Sequence, residues 1–308
     1  MEQKNIYLLD GSFTSGVKPY VDFESLVKHP LWGSQLLNLD EEAVYNCHRD
    51  YIKAGVDMIT TNTYQASING FQKFLGLNYC ESYELLKKSV KLCKKAIQVE
   101  GLGKYVKVMG SVGPFGASKC DGSEYSGNYI DSMSTQELLD WHKPRIQALI
   151  EEGVDYILFE TIPSIREAKI LLKLLSSFPD QKACLSFSCR DELHISHGET
   201  FSSAVETCWA YQNQKQLVAI GCNCVSASNI TSLLLSVKTE NVPLIVYPNG
   251  GGTWDIQNKK WDNSKAYQIN LDDIILWKSK GLKIFGGCCV YDSSDIARFR
   301  NLIDSIPL

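Results

Sequence analysis

The sequence predicts a single closed (β/α)8 barrel, the TIM-barrel architecture, that spans residues 1–308. Short apolar runs alternate eight times with amphipathic stretches, and this alternation favours parallel strands joined by right-handed helical crossovers. Eight such units in a chain of this length fit a closed barrel better than an open sheet. The competing open, doubly wound sheet is disfavoured because no G-x-G-x-x-G segment follows the first run. No composition break or low-complexity linker divides the chain, which indicates one domain.

Strands and helices follow one another from residue 6 onward. The strands are predicted at residues 6–9, 56–61, 106–110, 156–159, 183–187, 217–221, 244–247 and 283–285. Asp40 begins a helix that runs to Lys53, because the two acids that follow it suit the positive end of the helix dipole. Ser164 and Glu167 have the spacing of a capping box. The remaining helices are predicted at residues 81–99, 134–153, 202–211, 227–237, 271–279 and 293–303.

The composition is that of a globular protein without nucleic-acid or membrane partners. The chain is 44% hydrophobic and carries a formal net charge of -4, whereas a nucleic-acid binder is usually basic. No apolar run reaches the roughly 18 residues that a membrane span needs, and the N-terminus lacks the pattern of a signal peptide. Its 11 cysteines therefore indicate a reducing compartment. We predict a cytoplasmic protein that is a monomer or a small homo-oligomer.

Polar and sulfur-bearing residues recur directly after the predicted strands. In a (β/α)8 barrel, the loops at the carboxyl ends of the strands build the active site. We therefore expect these residues to converge on one face of the barrel. In chain order they are Asp10 and Gly11 after the first strand, Thr63 and Tyr64 after the second, Ser111 after the third, Glu160 after the fourth, Cys224 after the sixth, Asn249 after the seventh, and Cys288 and Cys289 after the eighth.

Three of these residues form a candidate metal site. The adjacent Cys288 and Cys289 cannot easily form a disulfide with each other, and the two glycines before them allow a sharp turn at the strand end. Strands six and eight lie close together at the barrel mouth, so Cys224 can supply a third sulfur. Three thiolates with one open position are typical of catalytic zinc, because structural zinc usually has four protein ligands. The predicted cofactor is Zn2+.

Other interpretations of these residues stay open. Cys222 competes with Cys224 as the third ligand, and Cys224 is favoured because it lies nearer the strand end. A redox role for the cysteine pair lacks the usual C-x-x-C spacing. Asp10 and Glu160 are also compatible with N-capping of the helices that follow them. The histidines show no metal-binding spacing, so we interpret His142 and the others as surface or packing residues.

A site of this kind favours chemistry at sulfur. Three thiolates on zinc carry a net charge of about -1, and a substrate thiol in the open position is held as a thiolate. If a sulfonium alkylates that sulfur, the positive donor and the negative thiolate neutralise each other in the transition state, which a dry pocket favours. The long glycine-rich segment of residues 111–134 reads as a functional loop. Its Phe115, Tyr125 and Tyr129 either pack the loop or line a pocket for a cationic methyl donor.

A set of motifs covers nearly the whole chain, from about residue 6 to residue 299. The motifs are Leu-Leu-Asp-Gly at 8–11, Thr-Asn-Thr-Tyr-Gln-Ala at 61–66, Gly-Ser-Val-Gly-Pro-Phe-Gly-Ala at 110–117, Asp-Gly-Ser-Glu-Tyr at 121–125, Phe-Glu-Thr at 159–161, Asn-Cys at 223–224, Tyr-Pro-Asn at 247–249 and Gly-Gly-Cys-Cys at 286–289. In this order they resemble the zinc-dependent homocysteine S-methyltransferases. The third and fourth motifs are most similar to the branch that uses S-methylmethionine.

The resemblance implies a homocysteine-binding barrel in which Cys224, Cys288 and Cys289 hold zinc. Glu160 and Asp10 would receive the ammonium group of homocysteine, and they are the predicted catalytic residues. The implied reaction transfers a methyl group from S-methylmethionine, or from S-adenosylmethionine, to the zinc-bound thiolate of homocysteine or of a selenol analogue. The product from homocysteine is methionine.

The resemblance also implies the remaining substrate contacts. Backbone amides near Gly11 and Ser12 suit the carboxylate of homocysteine, and Asn249 matches an asparagine close to the metal in related enzymes. The further predicted substrate-binding residues are Thr63, Tyr64, Ser111, Glu124 and Tyr125.

Two alternative functions are weighed against this one. Betaine is a possible donor, but the chain stops soon after its last helix and lacks the C-terminal extension of betaine-using relatives. A non-catalytic zinc-storage or thiol-sensing protein would need neither an amino-acid pocket nor a loop for the donor. Asp10, Glu160 and the glycine-rich loop therefore favour an enzyme.

Overall fold

Eight parallel strands form a barrel in the computed structural model, which describes residues 4–103, 105–211, 216–251, 253–255, 260–262 and 266–306. In the described residues the strands are β1 Tyr7–Leu8, β2 Met58–Thr60, β3 Lys107–Val112, β4 Tyr156–Ile162, β5 Lys182–Phe187, β6 Leu217–Ser226, β7 Leu244–Asn249, β8 Thr253–Asp255, β9 Lys260–Asp262 and β10 Leu282–Phe285. β8 and β9 form a separate antiparallel pair. The other strands match the predicted positions, and the largest difference is that β6 continues to Ser226.

The sheet closes on itself between its first and second strands. Neighbouring strands follow the order β1-β10-β7-β6-β5-β4-β3-β2. Leu9 forms a parallel bridge with Met58, and the Asp57 amide donates a hydrogen bond to the Leu8 carbonyl at 2.8 Å. The predicted closed barrel is thereby confirmed, and the open doubly wound sheet is excluded.

Helices surround the barrel. In the described residues they are α1 Phe13–Val17, α2 Phe23–Lys28, α3 Leu36–Leu39, α4 Glu41–Lys53, α5 Ile68–Leu75, α6 Tyr79–Val99, α7 Thr135–Glu151, α8 Ile165–Leu175, α9 Phe201–Tyr211, α10 Ala227–Ser236, α11 Leu271–Ser279 and α12 Ser293–Asp304. Asp40 caps α4 as predicted, with its side chain accepting from the Ala43 amide. The sequence pattern does not predict α1, α2, α3 and α5, which are only 4–8 residues long, too short for a helical period to be recognised. Among the parts of the chain that the structure describes, no helix has the length and apolarity to cross a membrane.

Ser164 caps α8, but the predicted capping box is only half formed. The Ser164 hydroxyl accepts a hydrogen bond from the Glu167 amide at 3.2 Å. The Glu167 carboxylate does not return the bond, because it accepts from the Phe115 amide and from His142.

Apolar side chains fill both the barrel and the layer between strands and helices. Strands covered on both faces are expected to be continuously apolar, as these are. The barrel interior is formed by Leu9, Met58, Met109, Tyr156, Leu158, Cys184, Ala219, Ile245, Tyr247 and Ile284. These apolar layers fill the centre of the barrel.

Two strands are irregular at that mouth. β4 shifts its register after Phe159, and β6 shifts its register after Asn223. Thr161 and Cys224 have φ angles of 58° and 54°, a left-handed conformation that is uncommon without glycine and most unusual for a β-branched residue. Such irregularities change the direction in which side chains point, and these two lie beside the site described next.

Candidate metal and substrate site

Three cysteine sulfurs meet at the carboxyl end of the barrel. The Sγ atoms of Cys224, Cys288 and Cys289 all lie within 4.8 Å of one another, and those of Cys224 and Cys289 are 3.6 Å apart. Cys224 lies in the irregular part of β6 and the other two follow β10, and both strands flank β7. The barrel therefore brings together the three sulfurs that the sequence singles out.

The cysteine pair is placed by a close approach of two backbone segments. A Cβ atom on Gly286 would lie 2.8 Å from the Leu9 Cβ, so a larger residue cannot fit without displacing the first loop. The Cys288 amide donates to the Pro248 carbonyl at 2.8 Å. These contacts fix the pair between the loops that follow β1 and β7.

Cys222 does not join the cluster. It is fully buried in the apolar layer between the strands and the helices. Cys224 reaches the pair because its left-handed backbone follows the register shift in β6. A regular strand would have pointed both side chains to the same face, since they are two residues apart.

The atoms around the sulfurs fit a zinc ion. Hydrogen bonds from the Cys288 and Cys289 thiols hold the pKa of Cys224 well below its usual value, so this sulfur is disposed to be a thiolate. The Asn249 side chain also bonds to Cys224, while Asn249 Oδ1 is buried without a hydrogen-bond partner among the described residues. Three soft sulfurs with a fourth position for another ligand match a catalytic zinc centre. The cofactor is Zn2+.

Two carboxylates lie in the same cavity as the sulfurs. Asp10 Oδ2 accepts hydrogen bonds from the Thr60 amide at 2.7 Å and from the Thr60 hydroxyl at 3.0 Å. The Ser111 hydroxyl donates to Glu160 Oε1. Burial raises the pKa of Asp10 from 3.8 to about 7 and that of Glu160 from 4.5 to about 7. Other residues cap the helices that follow, so neither carboxylate serves as an N-cap.

The cavity has a volume of about 160 Å³. Its carboxylates are Asp10, Glu124 and Glu160, and the described residues that line it include no lysine, arginine or histidine. Glu124 Oε2 is buried without a partner in the described part of the chain, and burial raises the pKa of Glu124 to about 7. A cavity lined by acids and thiols without a basic group attracts cationic ligands.

Tyr125 reaches the sulfurs from the long loop after β3. Its hydroxyl lies 3.1 Å from Cys224 Sγ, although the residue is 44% exposed. Phe115 and Tyr129 instead pack against each other, with ring centroids 5.5 Å apart, and neither lines the cavity. Phe115 and Tyr129 thus pack the loop, whereas Tyr125 lines the cavity.

Two predicted substrate contacts are engaged within the protein. The Thr63 hydroxyl bonds to the Thr61 hydroxyl at 2.6 Å and to the Ser111 carbonyl at 2.7 Å, and Thr63 does not line the cavity. The Ser12 amide donates to the Tyr291 carbonyl at 3.0 Å. The Ser12 amide, which was predicted to bind the substrate carboxylate, is therefore already used where the first loop packs on the loop before α12.

Sequence reasoning does not identify several side chains that line the cavity. These are Phe13, Trp32, Asn62, Gln65 and Tyr247. Phe13 and Trp32 belong to short elements between β1 and α4 whose position over the barrel mouth no periodicity indicates. Asn62, Gln65 and Tyr247 lie within the motifs at residues 61–66 and 247–249 that carry the family resemblance, and this is the signal that could have identified them.

Asn223 fixes the strained residue that follows Glu160. Its Oδ1 accepts from the Thr161 amide and from the Ser186 hydroxyl, both at 2.8 Å, and its Nδ2 donates to Thr161 Oγ1 at 2.9 Å. A left-handed conformation of this kind costs roughly 1–3 kcal/mol and persists only where the surroundings determine it. Asn223 thereby contributes to the direction in which Glu160 points.

A (β/α)8 barrel with three sulfurs and three carboxylates at its mouth defines a zinc-dependent enzyme that acts on sulfur. The chain matches the homocysteine S-methyltransferase family over residues 7–303. It is 37% identical to a betaine-homocysteine S-methyltransferase of Drosophila melanogaster, over 100% of this chain and 97% of that protein. It is 33% identical to the homocysteine S-methyltransferase of Escherichia coli (strain K12), over 97% of this chain and 96% of that protein. The protein therefore belongs to the homocysteine S-methyltransferase family and is a methyltransferase.

A solved structure extends the similarity to the whole fold. The metallated form of the homocysteine methyltransferase MmuM from Escherichia coli superposes with a TM-score of 0.83 at 32% identity, and the match covers 97% of each chain. The apo form of the same enzyme gives a TM-score of 0.73 at 28% identity, over 98% of this chain and 97% of that one. The presence of a metal in a protein of the same fold agrees with the zinc site.

Proposed function

We propose that this enzyme transfers a methyl group from a sulfonium donor to the sulfur of homocysteine, and that S-methylmethionine is its preferred donor. The observation that carries the proposal is the meeting of three cysteine sulfurs and three carboxylates in one cavity, whose described lining contains no basic side chain. Both proposed substrates carry positive charge, as an ammonium or a sulfonium group.

Homocysteine is the acceptor that the acidic groups suit. Asp10 and Glu160 in their ionised forms bind its ammonium group, and the amide of Gly11 is the remaining candidate for its carboxylate. A bound cation favours the charged form of a neighbouring carboxyl, so substrate binding lowers the raised pKa values of both acids. The thiol end of the amino acid then reaches the cysteine sulfurs.

The zinc ligands in this proposal are Cys224, Cys288 and Cys289. When bound, zinc supplies a Lewis acid that favours the thiolate form of the acceptor sulfur at neutral pH. Asn249 bonds to Cys224 and carries the unpartnered Oδ1, so it belongs to the surroundings of the ion. Tyr125 donates its hydroxyl hydrogen to Cys224 and orients that sulfur.

The donor occupies the outer side of the cavity. Glu124 attracts the sulfonium, and the rings of Phe13, Trp32 and Tyr125 offer aromatic faces to it, a contact worth about 0.5–2 kcal/mol. The motifs at residues 110–117 and 121–125, which resemble the branch that uses S-methylmethionine, favour that donor over S-adenosylmethionine.

The reaction balances without a further reactant. The acceptor thiol loses its proton to solvent, and the lone pair of the thiolate forms the new bond to the methyl carbon. The bond from that carbon to the donor sulfur breaks, and its electron pair stays on the donor sulfur. Positive and negative charge cancel, which a cavity that excludes water favours. With homocysteine and S-methylmethionine, both products are methionine.

Methionine formation from homocysteine tests the proposal directly. Reduced, zinc-loaded protein is supplied in parallel with S-methylmethionine, S-adenosylmethionine or betaine, and methionine is quantified by mass spectrometry with a methyl-labelled donor. We expect the highest kcat/KM with S-methylmethionine. A higher value with betaine or S-adenosylmethionine would overturn the donor assignment, and no labelled product with any donor would overturn the function.

Betaine is included because of the Drosophila relative. That protein bears the name of a betaine-dependent enzyme, yet this chain covers 97% of its length. Chain length therefore does not separate the donors, and the argument against betaine rests on the acidic lining of the cavity. S-methylmethionine carries a net positive charge at neutral pH, whereas betaine is neutral overall, so a cavity with three carboxylates and no basic side chain in its described lining attracts S-methylmethionine more strongly.

The proposal includes a reducing compartment such as the cytoplasm. The chemistry needs reduced sulfurs, and no disulfide joins any of the 11 cysteines, all of which lie in the described residues. The oligomeric state remains the prediction made from the sequence.

A further inference from the structure

We propose that three buried residues outside the cavity, Arg145, His142 and Glu167, act together as positioning residues for the methyl-donor side of the site. That the positioned side binds the methyl donor rests on the proposed function, whereas the anchoring of the loops does not depend on which donor is used. These residues occur in α7 and α8, behind the cavity, and none of them lines it.

The three side chains form one connected network. Arg145 and Glu167 are 1% and 0% exposed, and His142 lies between them. His142 Nε2 is 2.8 Å from Glu167 Oε1, and an Arg145 guanidinium nitrogen is 3.4 Å from His142 Nδ1. Burial lowers the pKa of His142, so the ring is neutral. Because arginine can only donate, Nδ1 is the acceptor and the ring proton on Nε2 points to Glu167.

Arg145 holds the loop that follows β2. Its guanidinium donates to the carbonyl oxygens of Ala66 at 2.6 Å and Tyr64 at 2.9 Å. It also donates to the carbonyl of Gly113 after β3 at 2.8 Å, and so joins the two loops. The ring of Trp141 covers the guanidinium at 4.3 Å. The position of Tyr64, which lines the cavity, therefore depends on a residue that does not.

Glu167 holds both sides of the long loop. Its Oε1 accepts from the Phe115 amide at 2.9 Å, and its Oε2 accepts from the Tyr129 hydroxyl at 2.5 Å. Residues 116–128 lie between these two anchors and carry Glu124 and Tyr125. The backbone of the loop that faces the donor is thus tied at each end to one buried carboxylate.

Stability alone does not account for this network. Buried charged groups contribute little net stability compared with well-packed apolar residues, because they lose their hydration. Burial lowers the pKa of Arg145 to about 9, which leaves it charged at neutral pH. What the charges provide is a set of directed bonds to loop backbone that apolar side chains cannot make. That is the property expected of a positioning device.

The test compares Glu167→Gln and Tyr129→Phe with Asp57→Asn. Asp57 is also a buried carboxylate, which accepts from the Leu8 amide at 2.8 Å and from Arg300 at 3.1 Å, but it lies at the opposite end of the barrel. Zinc content, KM for homocysteine, kcat/KM for S-methylmethionine and melting temperature are measured for all three variants. Tyr129→Phe removes only one hydroxyl, which bonds to Glu167 and to the Gly116 backbone, so the inference can still be tested if Glu167→Gln fails to fold.

We expect kcat/KM for the donor to fall about 10-fold or more in Glu167→Gln and about 5-fold in Tyr129→Phe, the equivalent of one net hydrogen bond. Zinc content and the KM for homocysteine should change less than about twofold. Asp57→Asn should lower the melting temperature without changing donor kinetics. Unchanged donor kinetics in both loop variants, or an equal loss in Asp57→Asn, would overturn the inference.

Hydrogen exchange separates this inference from the donor assignment. If the loop anchors act as argued, amide exchange in residues 116–128 will be faster in Glu167→Gln than in the unaltered protein, whichever donor is used. Exchange that stays the same there would refute the anchoring even if S-methylmethionine is the donor. Faster exchange together with no turnover of S-methylmethionine by the unaltered protein would refute only the proposed function.

Discussion

The hydroxyl of Tyr125 lies 3.1 Å from the sulfur of Cys224. This contact joins the longest loop of the barrel mouth to the metal site, across a residue that is 44% exposed to solvent. The loop after β3 and the proposed zinc ligands are thus in direct contact. A change in the loop is therefore expected to alter turnover at the sulfurs.

Tyr125→Phe should lower kcat/KM for the methyl donor by about 5-fold, because the loop loses one net hydrogen bond of about 1 kcal/mol to the site. The ring and its contact with the donor are kept. Steady-state kinetics with varied S-methylmethionine will measure the change, and zinc content should stay the same. Tyr267→Phe is a matched control, since the Tyr267 hydroxyl bonds to Asp273 on the outside of the barrel. Equal effects in the two variants would contradict a specific role for Tyr125.

Cys288→Ser should remove most of the zinc and the activity. Losing one of three thiolates should weaken metal binding by more than the roughly 10–100-fold that loss of an outer partner costs. Elemental analysis after dialysis measures the metal. Added zinc should raise the melting temperature of the metal-stripped parent protein, since a ligand that binds only the folded state stabilises it, but not that of the variant.

Cys222→Ala is the control for that experiment and also tests the choice between neighbouring cysteines. Because Cys222 is fully buried among apolar residues, the variant should keep its zinc while losing some stability. Full zinc occupancy in Cys288→Ser, or loss of zinc in Cys222→Ala, would refute the ligand assignment.

Binding of methionine, the proposed product, should weaken as the pH falls below about 7. Asp10 and Glu160 both have pKa values of about 7 in the substrate-free protein, so acid converts them to neutral groups that no longer attract an ammonium. Calorimetric titration between pH 5.5 and pH 8.5, a window chosen to bracket those pKa values, will show the dependence. Glu160→Gln should bind more weakly at pH 8 and show a shallower pH dependence. A binding constant that does not change with pH would argue against ammonium recognition by these acids.

Asp10→Asn should stabilise the substrate-free protein at pH 8. Burial raises the pKa of Asp10 from 3.8 to about 7, so between these values the folded state binds more protons than the unfolded state. The stability linked to Asp10 is therefore fully present below about pH 4 and is lost as the pH rises through about 7. We expect a melting temperature about 5 °C higher than that of the parent at pH 8 and no difference near pH 4. The exposed Asp180→Asn serves as the control, and a lower melting temperature for Asp10→Asn at pH 8 would contradict the prediction.

Much of the site could be inferred before the fold was known, because a closed barrel gathers the carboxyl ends of its strands. Asp10, Glu160 and the three cysteines all follow strands whose apolar runs are easy to recognise. Phe13 and Trp32 could not be predicted as cavity residues, because they occur in short elements whose local pattern resembles that of a surface connection. Thr63 was chosen for its position after β2, yet its hydroxyl is engaged with Thr61 and Ser111.

The histidine of the loop network shows the same limit. Of the two roles predicted for His142, surface or packing, the structure excludes the first, because the ring is fully buried between Arg145 and Glu167. The three residues are spread over two helices, and helical periodicity marks them only as inward-facing. The spacing of Ser164 and Glu167 predicts that the Glu167 carboxylate bonds back to the Ser164 amide, but it bonds instead to Phe115 and His142.

The sequence by itself determined the barrel, the order of its elements and the identity of the sulfurs and carboxylates at its mouth. Hydrophobic periodicity, turn residues and position after a strand are local properties that can be recognised from the sequence alone. The tertiary structure decided which of two neighbouring cysteines meets the pair, which amides are already used, and which buried charges hold the loops. Those outcomes depend on register shifts, left-handed backbone at Thr161 and Cys224, and contacts between residues far apart in sequence, which no local pattern specifies.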